Sequence, residues 1–409
     1  MRKRRVWVLS ELYYPEDTST GQFLTGIAEG LTAEFCVNVL CAQPSYAFRG
    51  LRAASSERRN GVEIHRCHSF VRDKNSIVGK IITHCSFGLS VLASALRRFR
   101  SSDAVLVVTN PPLLPFIAVL VCLIRRCKCV LLVHDVYPEV LASAGILKRQ
   151  SLLYLVFDAL NAWLLRGVGE VVVIGRDMRR ILQAKLPSSE RHKITVIPNW
   201  GDSDEIYPSD RARNRILFEM GLLDQTVVLY AGNLGRTHSV EPLLECARRL
   251  RDSDHVHFVI AGQGANAKCV RDKVSAIGLA NISFRPRCPR EELSELLNAC
   301  DLAVVSLVPG MSGVSVPSRL YNIMAAGKPI VALCDFDSEV SQVIREENIG
   351  WVVPSEAALD LLRVLRYAAA NREELTNMGS RARDAVSRKY TREMTIERFV
   401  QVLGRMVGS

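Results

Sequence analysis

At 409 residues the chain is too long for a single core and comfortable for two domains. Hydrophobic residues make up 48% and charged residues 23%, ordinary proportions for a globular protein that exclude a disordered or fibrous one. The formal net charge is +11, and its excess lies in the first half: residues 1–200 hold 27 Lys and Arg against 15 Asp and Glu, residues 201–409 hold 26 against 27.

Such an imbalance reads either as a solvated basic face or as attraction to anionic lipid headgroups or a phosphate-bearing substrate. Nucleic acid is not expected, because no aromatic-basic interleaving or binding module is present. The 12 cysteines are scattered without CxxC pairs, so they are expected as small buried hydrophobes of a reduced, cytosolic compartment, without structural zinc. Val6 to Leu9 is too short for a signal-peptide core, and "LLPFIAVLVCLI", Leu113 to Ile124, is too short to span a bilayer, which takes about 20 apolar residues.

In chain order, short β-branched runs alternate with amphipathic stretches. The first half gives "RVWVLS", "CVNVLC", "VEIHR", "DAVLVVT", "CVLLVH", "EVVVI" and "ITVIP". The second gives "TVVLYAG", "VHFVIAG", "NISFR", "DLAVVSL", "PIVAL" and "GWVVP". Strand, helix, strand repeated in each half predicts two α/β, doubly wound, Rossmann-like domains with parallel sheets. The seam falls at "IPNWGDSDEIYP", Ile197 to Pro208. The expected domains are 1–200 and 201–390, and the amphipathic segment 391–409 is expected to pack back on the first. Folds of this kind bind ligands at the carboxyl ends of their strands.

Several polar groups stand at such ends. In "SELYYPEDTSTGQFLTGIAEGL", Thr20-Gly21 opens a helix whose N-terminus faces a ligand or simply caps a surface helix. In "CVLLVHDVYPEV", His134, Asp135 and Glu139 follow a buried strand. His134 is suited to contact a reacting group, and Asp135 or Glu139 to accept a hydroxyl proton; alternatively Asp135 caps a turn and His134 is a satisfied core histidine. "VVLYAGNLGRTHSVEPLLECA" is a strand, a glycine-bearing turn and a helix beginning near Ser239. Gly232 and Gly235 let backbone N–H groups approach a diphosphate, and Arg236 adds a forked cation, unless this is a plain turn with a surface arginine. In "SVPSRLYNIMAAGKPIVAL", Pro317 fits the first turn of a helix through Met324 that Gly327 ends. Ser315, Ser318, Arg319 and Asn322 would present its polar side to an anion and to a sugar or ribose hydroxyl, or form a solvated edge.

Taken together, "YYPEDTSTGQ", "VHDVYPE", "IPNW", "YAGNLGR", "AGQG" and "VPSRLYNIMAAGKPIV" resemble the retaining, nucleotide-sugar-dependent family 4 glycosyltransferases of GT-B fold. The likeness is to the subgroup that builds bacterial surface polysaccharides of O-antigen and colanic acid type, and it covers nearly the whole chain. The resemblance implies two domains facing across a cleft. It implies a nucleotide-diphosphate sugar on the second domain and a lipid-linked saccharide acceptor on the first. Gly21, Gly232, Asn233, Arg236, Ser315, Ser318, Arg319 and Asn322 would bind the donor, with His134, Asp135 and Glu139 as the catalytic group. It further implies transfer of an aminosugar with retention, no metal or other cofactor, and a cytoplasmic protein peripheral on the inner face of the membrane. Many relatives carry two glutamates on the donor segment, where this chain has Val314 and Asn322; Pro317-Ser318-Arg319 matches a Pro-Ser-Lys of the subgroup with Arg for Lys, which is not an equivalent cation.

The alternatives are a nucleotide-sugar epimerase of similar fold and an inactive scaffold that binds nucleotide sugar or membrane. A dehydrogenase is disfavoured, since neither half has GxGxxG after its first strand. Arg97, Arg98, Arg100, Arg125, Arg126 and Lys128 cluster around two apolar helical stretches, Ile77–Leu96 and Leu113–Ile124, which makes an anionic membrane surface the expected partner of the basic half.

Overall fold

The computed structural model describes residues 3–44, 53–70, 77–252 and 255–407. Met1 and Arg2, with Gly408 and Ser409 at the end of the expected C-terminal helix, lie outside the described residues.

The first half runs β1 (Arg5–Leu9), α1 (Ser19–Leu31), β2 (Cys36–Cys41), β3 (Ser56–Arg59), β4 (Val62–Arg66), α2 (Ile77–Arg98), β5 (Ala104–Val108), α3 (Leu114–Arg125), β6 (Lys128–Val133), α4 (Glu139–Ser143), α5 (Leu152–Gly167), β7 (Glu170–Val173), α6 (Arg176–Ala184) and β8 (Ile194–Val196). The second half continues with α7 (Arg215–Met220), β9 (Thr226–Ala231), α8 (Glu241–Arg249), β10 (Val256–Ala261), α9 (Ala267–Ile277), β11 (Ile282–Arg285), α10 (Arg290–Asn298), β12 (Leu302–Ser306), α11 (Arg319–Ala325), β13 (Ile330–Leu333), α12 (Glu339–Glu347), β14 (Gly350–Val353), α13 (Ala358–Ala370), α14 (Arg372–Lys389) and α15 (Arg392–Val407).

Every β-branched run quoted above forms a strand, while "LLPFIAVLVCLI" forms helix α3. Two sheets result, in the orders β3-β4-β2-β1-β5-β6-β7-β8 and β11-β10-β9-β12-β13-β14. Neighbours are parallel throughout, except that β3 pairs antiparallel with β4 at the edge. Strands covered on both faces have no polar side to show, which is why all five residues of β5 are buried and apolar. In β9, Val227 and Leu229 enter one core and Val228 and Tyr230 the other, so alternate residues serve opposite faces of one sheet. The strand order reverses between β1 and β5 in the first sheet and between β9 and β12 in the second. Crevices open at such reversals, beyond the carboxyl ends of the strands.

The chain groups into two compact units, Met1–Pro138 with Arg149–Pro198 and Glu393–Ser409, and Glu139–Lys148 with Asn199–Arg392. Within the first unit, Thr395 Oγ1 of α15 donates to the Pro198 carbonyl at 3.3 Å, and Arg405 pairs with Glu170 at 3.3 Å. Phe399, Val402 and Leu403 of that helix are buried, each worth about 1.5–3 kcal/mol by transfer of its side chain from water. Packing, more than the exposed ion pair, fixes α15.

Candidate functional site

In the second unit the reversal between β9 and β12 brings together two stretches that are far apart in the chain. Gly232 follows β9 and donates its N–H to Ala261 at 2.9 Å, tying the turn to the end of β10. A β-carbon at Gly262 would collide with the Gly232 carbonyl, so the "AGNLG" and "AGQG" turns nest only because position 262 lacks a side chain. Leu234 continues the pairing to Gln263 at 2.9 Å, and Tyr230 Oη donates to the Asn233 carbonyl at 2.7 Å. Arg319, at the start of α11, reaches this turn. Its Nη1 donates to the Ala231 carbonyl at 3.3 Å, its guanidinium lies 5.0 Å from the Tyr230 ring centroid, and it occupies the space where a Gly232 β-carbon would stand. The cation is thereby held flat against the glycine turn by a hydrogen bond and an aromatic face.

His238 completes this corner, and nothing in the sequence reading singled it out. Its Nδ1 lies 3.0 Å from Thr237 Oγ1. Burial, and then the neighbouring charge of Arg319, push its imidazole down to about 3, so it is neutral at physiological pH. Val308 N–H donates to the Thr237 carbonyl at 3.1 Å, which joins the loop after β12 to the loop after β9. Arg236 is exposed, and no carboxylate pairs with it among the described residues. Asn233 is exposed beside it, its amide turned toward Gly235 and Gly264.

Two expectations change here. The helix expected near Ser239 begins at Glu241, and the Glu241 carboxylate already accepts from the Val240 N–H at 3.1 Å. An anion of the chain itself thus sits at the positive end of α8, and the donor charge falls to the turn and its arginines. Asn322 does not face the glycine turn through its carbonyl oxygen. That atom accepts from the Asp202 N–H at 3.2 Å and moors the seam segment itself. Ser318 starts α11 without a capping bond from its side chain, and α11 itself is seven residues long. Ser315 lies in the preceding loop, which the Asp335 carboxylate orders by accepting from Gly310 (3.0 Å) and Ser312 (3.1 Å).

In the first unit the end of β6 carries His134 and Asp135. The Thr109 hydroxyl, at the end of neighbouring β5, accepts from both of their N–H groups at 3.2 and 3.4 Å. Both residues are partly exposed along the rim, but their ionisable ends are withdrawn from water. His134 Nε2 is buried without a hydrogen-bond partner, and burial pushes the imidazole down to about 4. Burial pushes the Asp135 carboxyl up to about 6. His134 is therefore not a satisfied core histidine; a buried polar atom without a partner leaves room for a ligand's donor or acceptor. Glu139 is 8% exposed and belongs to the second unit, where Ser143 of the same helix donates to the Gly310 carbonyl at 2.8 Å.

At α1 the cap is Thr18 and not Thr20: its Oγ1 accepts from the Gly21 N–H at 3.2 Å, so that N–H is already engaged. A β-carbon at Gly21 would lie 2.8 Å from the Glu16 carbonyl, which makes glycine obligatory in this turn. Among the described residues no group of three or more His, Cys, Asp or Glu is arranged to hold a metal ion.

Comparison with known proteins agrees with this geometry. A Glycosyl transferase 4-like domain matches residues 20–200 and the Glycosyl transferases group 1 domain matches residues 213–385. The chain is 29% identical over 397 residues to the probable glycosyltransferase WbjE of Pseudomonas aeruginosa, covering 97% of this chain and 96% of that one. It is 25% identical over 404 residues to the putative colanic acid biosynthesis glycosyl transferase WcaI of Escherichia coli, covering 95% and 97%. Among solved structures, sucrose-phosphate synthase from Thermosynechococcus elongatus superposes with a TM-score of 0.81 at 14% identity, covering 99% of this chain and 100% of that one. HepE of Anabaena, in complex with UDP and glucose, superposes with a TM-score of 0.76 at 14% identity, covering 98% and 100%. With a glycosyltransferase domain in each half and this pair of doubly wound sheets, the chain belongs to the family 4 type of glycosyltransferases and has the GT-B fold.

Proposed function

We propose that the chain moves a sugar, an aminosugar, from a nucleotide-diphosphate donor to a lipid-linked saccharide in the building of a bacterial surface polysaccharide, with retention and without metal. The observation that carries this is Arg319 fixed against the Gly232 turn at the reversal of the second sheet. A diphosphate gains charge as it leaves, and cations already in position stabilise it without reorganising. Arg319 and the exposed Arg236 supply that charge, and the backbone of the Gly232–Gly235 turn supplies N–H groups.

In the reaction, the bond from the anomeric carbon to the β-phosphate oxygen breaks and a bond to the acceptor oxygen forms. The acceptor's proton needs a base. Asp135, with its carboxyl raised to about 6, is ionised yet still basic at neutral pH. Neutral His134 offers its buried Nε2 as a hydrogen-bonding partner to a sugar hydroxyl. The surface-polysaccharide setting is supported by the relative named for colanic acid biosynthesis, and a UDP-linked donor by the neighbour that binds UDP. The positive excess of residues 1–200 supports a place at the cytoplasmic face of an anionic membrane, where such an acceptor is embedded. A thermal-shift screen of the purified protein against UDP-, GDP- and dTDP-sugars tests the donor class, because a ligand selective for the folded state raises the melting temperature. Lack of stabilisation by every nucleotide sugar would contradict the proposal.

A further inference from the structure

Helix α5 carries an apolar stripe that faces outward. Leu152, Leu155, Val156, Leu160 and Trp163 recur at three- and four-residue steps, the spacing of one helical face. All five are exposed, Leu152 at 77% and Trp163 at 49%, and only Leu164 and Leu165 of the helix are buried. The same inversion appears around α3, at Leu113, Leu120, Leu123 and Ile124, and on α2 at Ile82 and Leu89. The three helices are neighbours. Phe116 of α3 and Trp163 of α5 stack with ring centroids 6.4 Å apart, and Ile117 of α3 fills the space beside Gly88 of α2. The stripes therefore merge into one face, whereas soluble surfaces scatter such residues singly.

The charge around this face has one sign. α2 ends in Arg97 and Arg98, α3 in Arg125 followed by Arg126 and Lys128, and α5 in Arg166, all exposed. Each helix leads into the next parallel strand, β5, β6 or β7, so these ends lie on one side of the sheet's strands, beside their amino ends. Neither α2 nor α3 contains an acidic residue, and the one in α5, Asp158, accepts from Lys185 Nζ at 2.6 Å.

We infer that α2, α3 and α5 form a membrane-inserting face, with α5 as its main apolar contact and the arginine rim at headgroup phosphates. The inference rests on the proposed lipid-linked acceptor and goes beyond it by naming the surface and the mode, insertion in the membrane plane as well as electrostatic attraction. A second copy of the chain would oppose two positive rims with no carboxylate to meet them, while anionic phosphates meet every one. Long arginine stems let the charges reach the headgroups while the apolar residues between them sit deeper. No helix of the described residues is long and apolar enough to cross a membrane.

Trp163 is itself the probe, since Trp7 and Trp200 are buried and Trp351 is only partly exposed. Vesicles of phosphatidylcholine and phosphatidylglycerol carrying a nitroxide-labelled lipid should quench the fluorescence of the full chain, and Trp163→Phe should remove most of that quenching. Leu155→Gln combined with Leu160→Gln should lower vesicle partitioning by about tenfold or more, and high salt should weaken binding without abolishing it. Circular dichroism and thermal stabilisation by UDP in the same variant report folding and the donor site separately. Unquenched Trp163 with intact stabilisation by UDP overturns the membrane face and leaves the glycosyltransfer reading standing. Quenching without stabilisation by UDP, GDP or dTDP upholds the face and removes that reading. A dimer that the double variant converts to monomer, without vesicle binding, overturns the inference in favour of a second copy.

Discussion

Arg319 lies where a side chain on Gly232 would have to go. The absence of a β-carbon at Gly232 is what lets the guanidinium rest against the turn, over Tyr230 and bonded to the Ala231 carbonyl.

Two glycines in the nested turns should therefore respond differently to alanine. At Gly232 the new methyl meets the end of a flexible arginine, which can swing away, so stability should change by less than about 1 kcal/mol. Donor affinity should nonetheless fall about tenfold or more, because the cation is displaced. At Gly262 the methyl meets the Gly232 carbonyl, and backbone cannot move aside, so Gly262→Ala should cost about 2–4 kcal/mol. Urea titrations and donor binding on both variants check the contrast.

Arg236→Ala removes an exposed cation that contacts no carboxylate among the described residues. Its loss should act on the charge that grows on the leaving diphosphate, lowering kcat by about 100-fold or more with little change in stability. A variant with normal kcat and a raised KM makes Arg236 a binding residue only.

Asp135 links pH, stability and turnover. A carboxyl whose folded pKa is raised, here to about 6, contributes stability below its unfolded value that is lost as pH rises through about 6. His134 has the opposite sign: its pKa is depressed to about 4, so its contribution is present above about 6.5 and is lost as pH falls toward 4. At neutral pH, Asp135→Asn should therefore raise stability by about 1–3 kcal/mol while abolishing most turnover. In the native enzyme kcat/KM should rise with pH through about 6, and that limb should vanish in Asp135→Asn. Melting curves and rate profiles between acid and neutral pH measure both.

Turnover is expected without divalent cation, since arginines are placed to meet the phosphate charge. Activity that is lost in EDTA and restored by magnesium or manganese would contradict this.

The strands were legible because a strand buried on both faces must be apolar along its whole length, and most such runs stand out between amphipathic helices. The edge strand β3, "SERR", was not, because it is polar; its signal is the Asn60-Gly61 turn, with φ of 47° and 81°, which joins it to β4. The glycine turns and their arginines were legible by type. That Arg319 reaches Gly232 was not, because the meeting depends on strand order, which periodicity does not encode. Thr109 and His238 escaped for a related reason: a hydroxyl that caps a neighbouring strand's turn, and a histidine made neutral by its surroundings, have no local pattern. The bond from Asp202 to Asn322 was not legible either, because one helical face contains both residues that reach a ligand turn and residues that moor a linker. The apolar stripe of α5 was not singled out, since sequence shows that a face is apolar but not which way it points.

The central claim is that the Gly232 turn and Arg319 hold a nucleotide diphosphate, and calorimetric titration of UDP tests it most directly. The protein should bind UDP without added metal, and Arg319→Ala should weaken binding about tenfold or more while the melting temperature of the free protein changes little. Equal affinity in the two proteins, or no binding of UDP, GDP or dTDP to the wild-type chain, would contradict it.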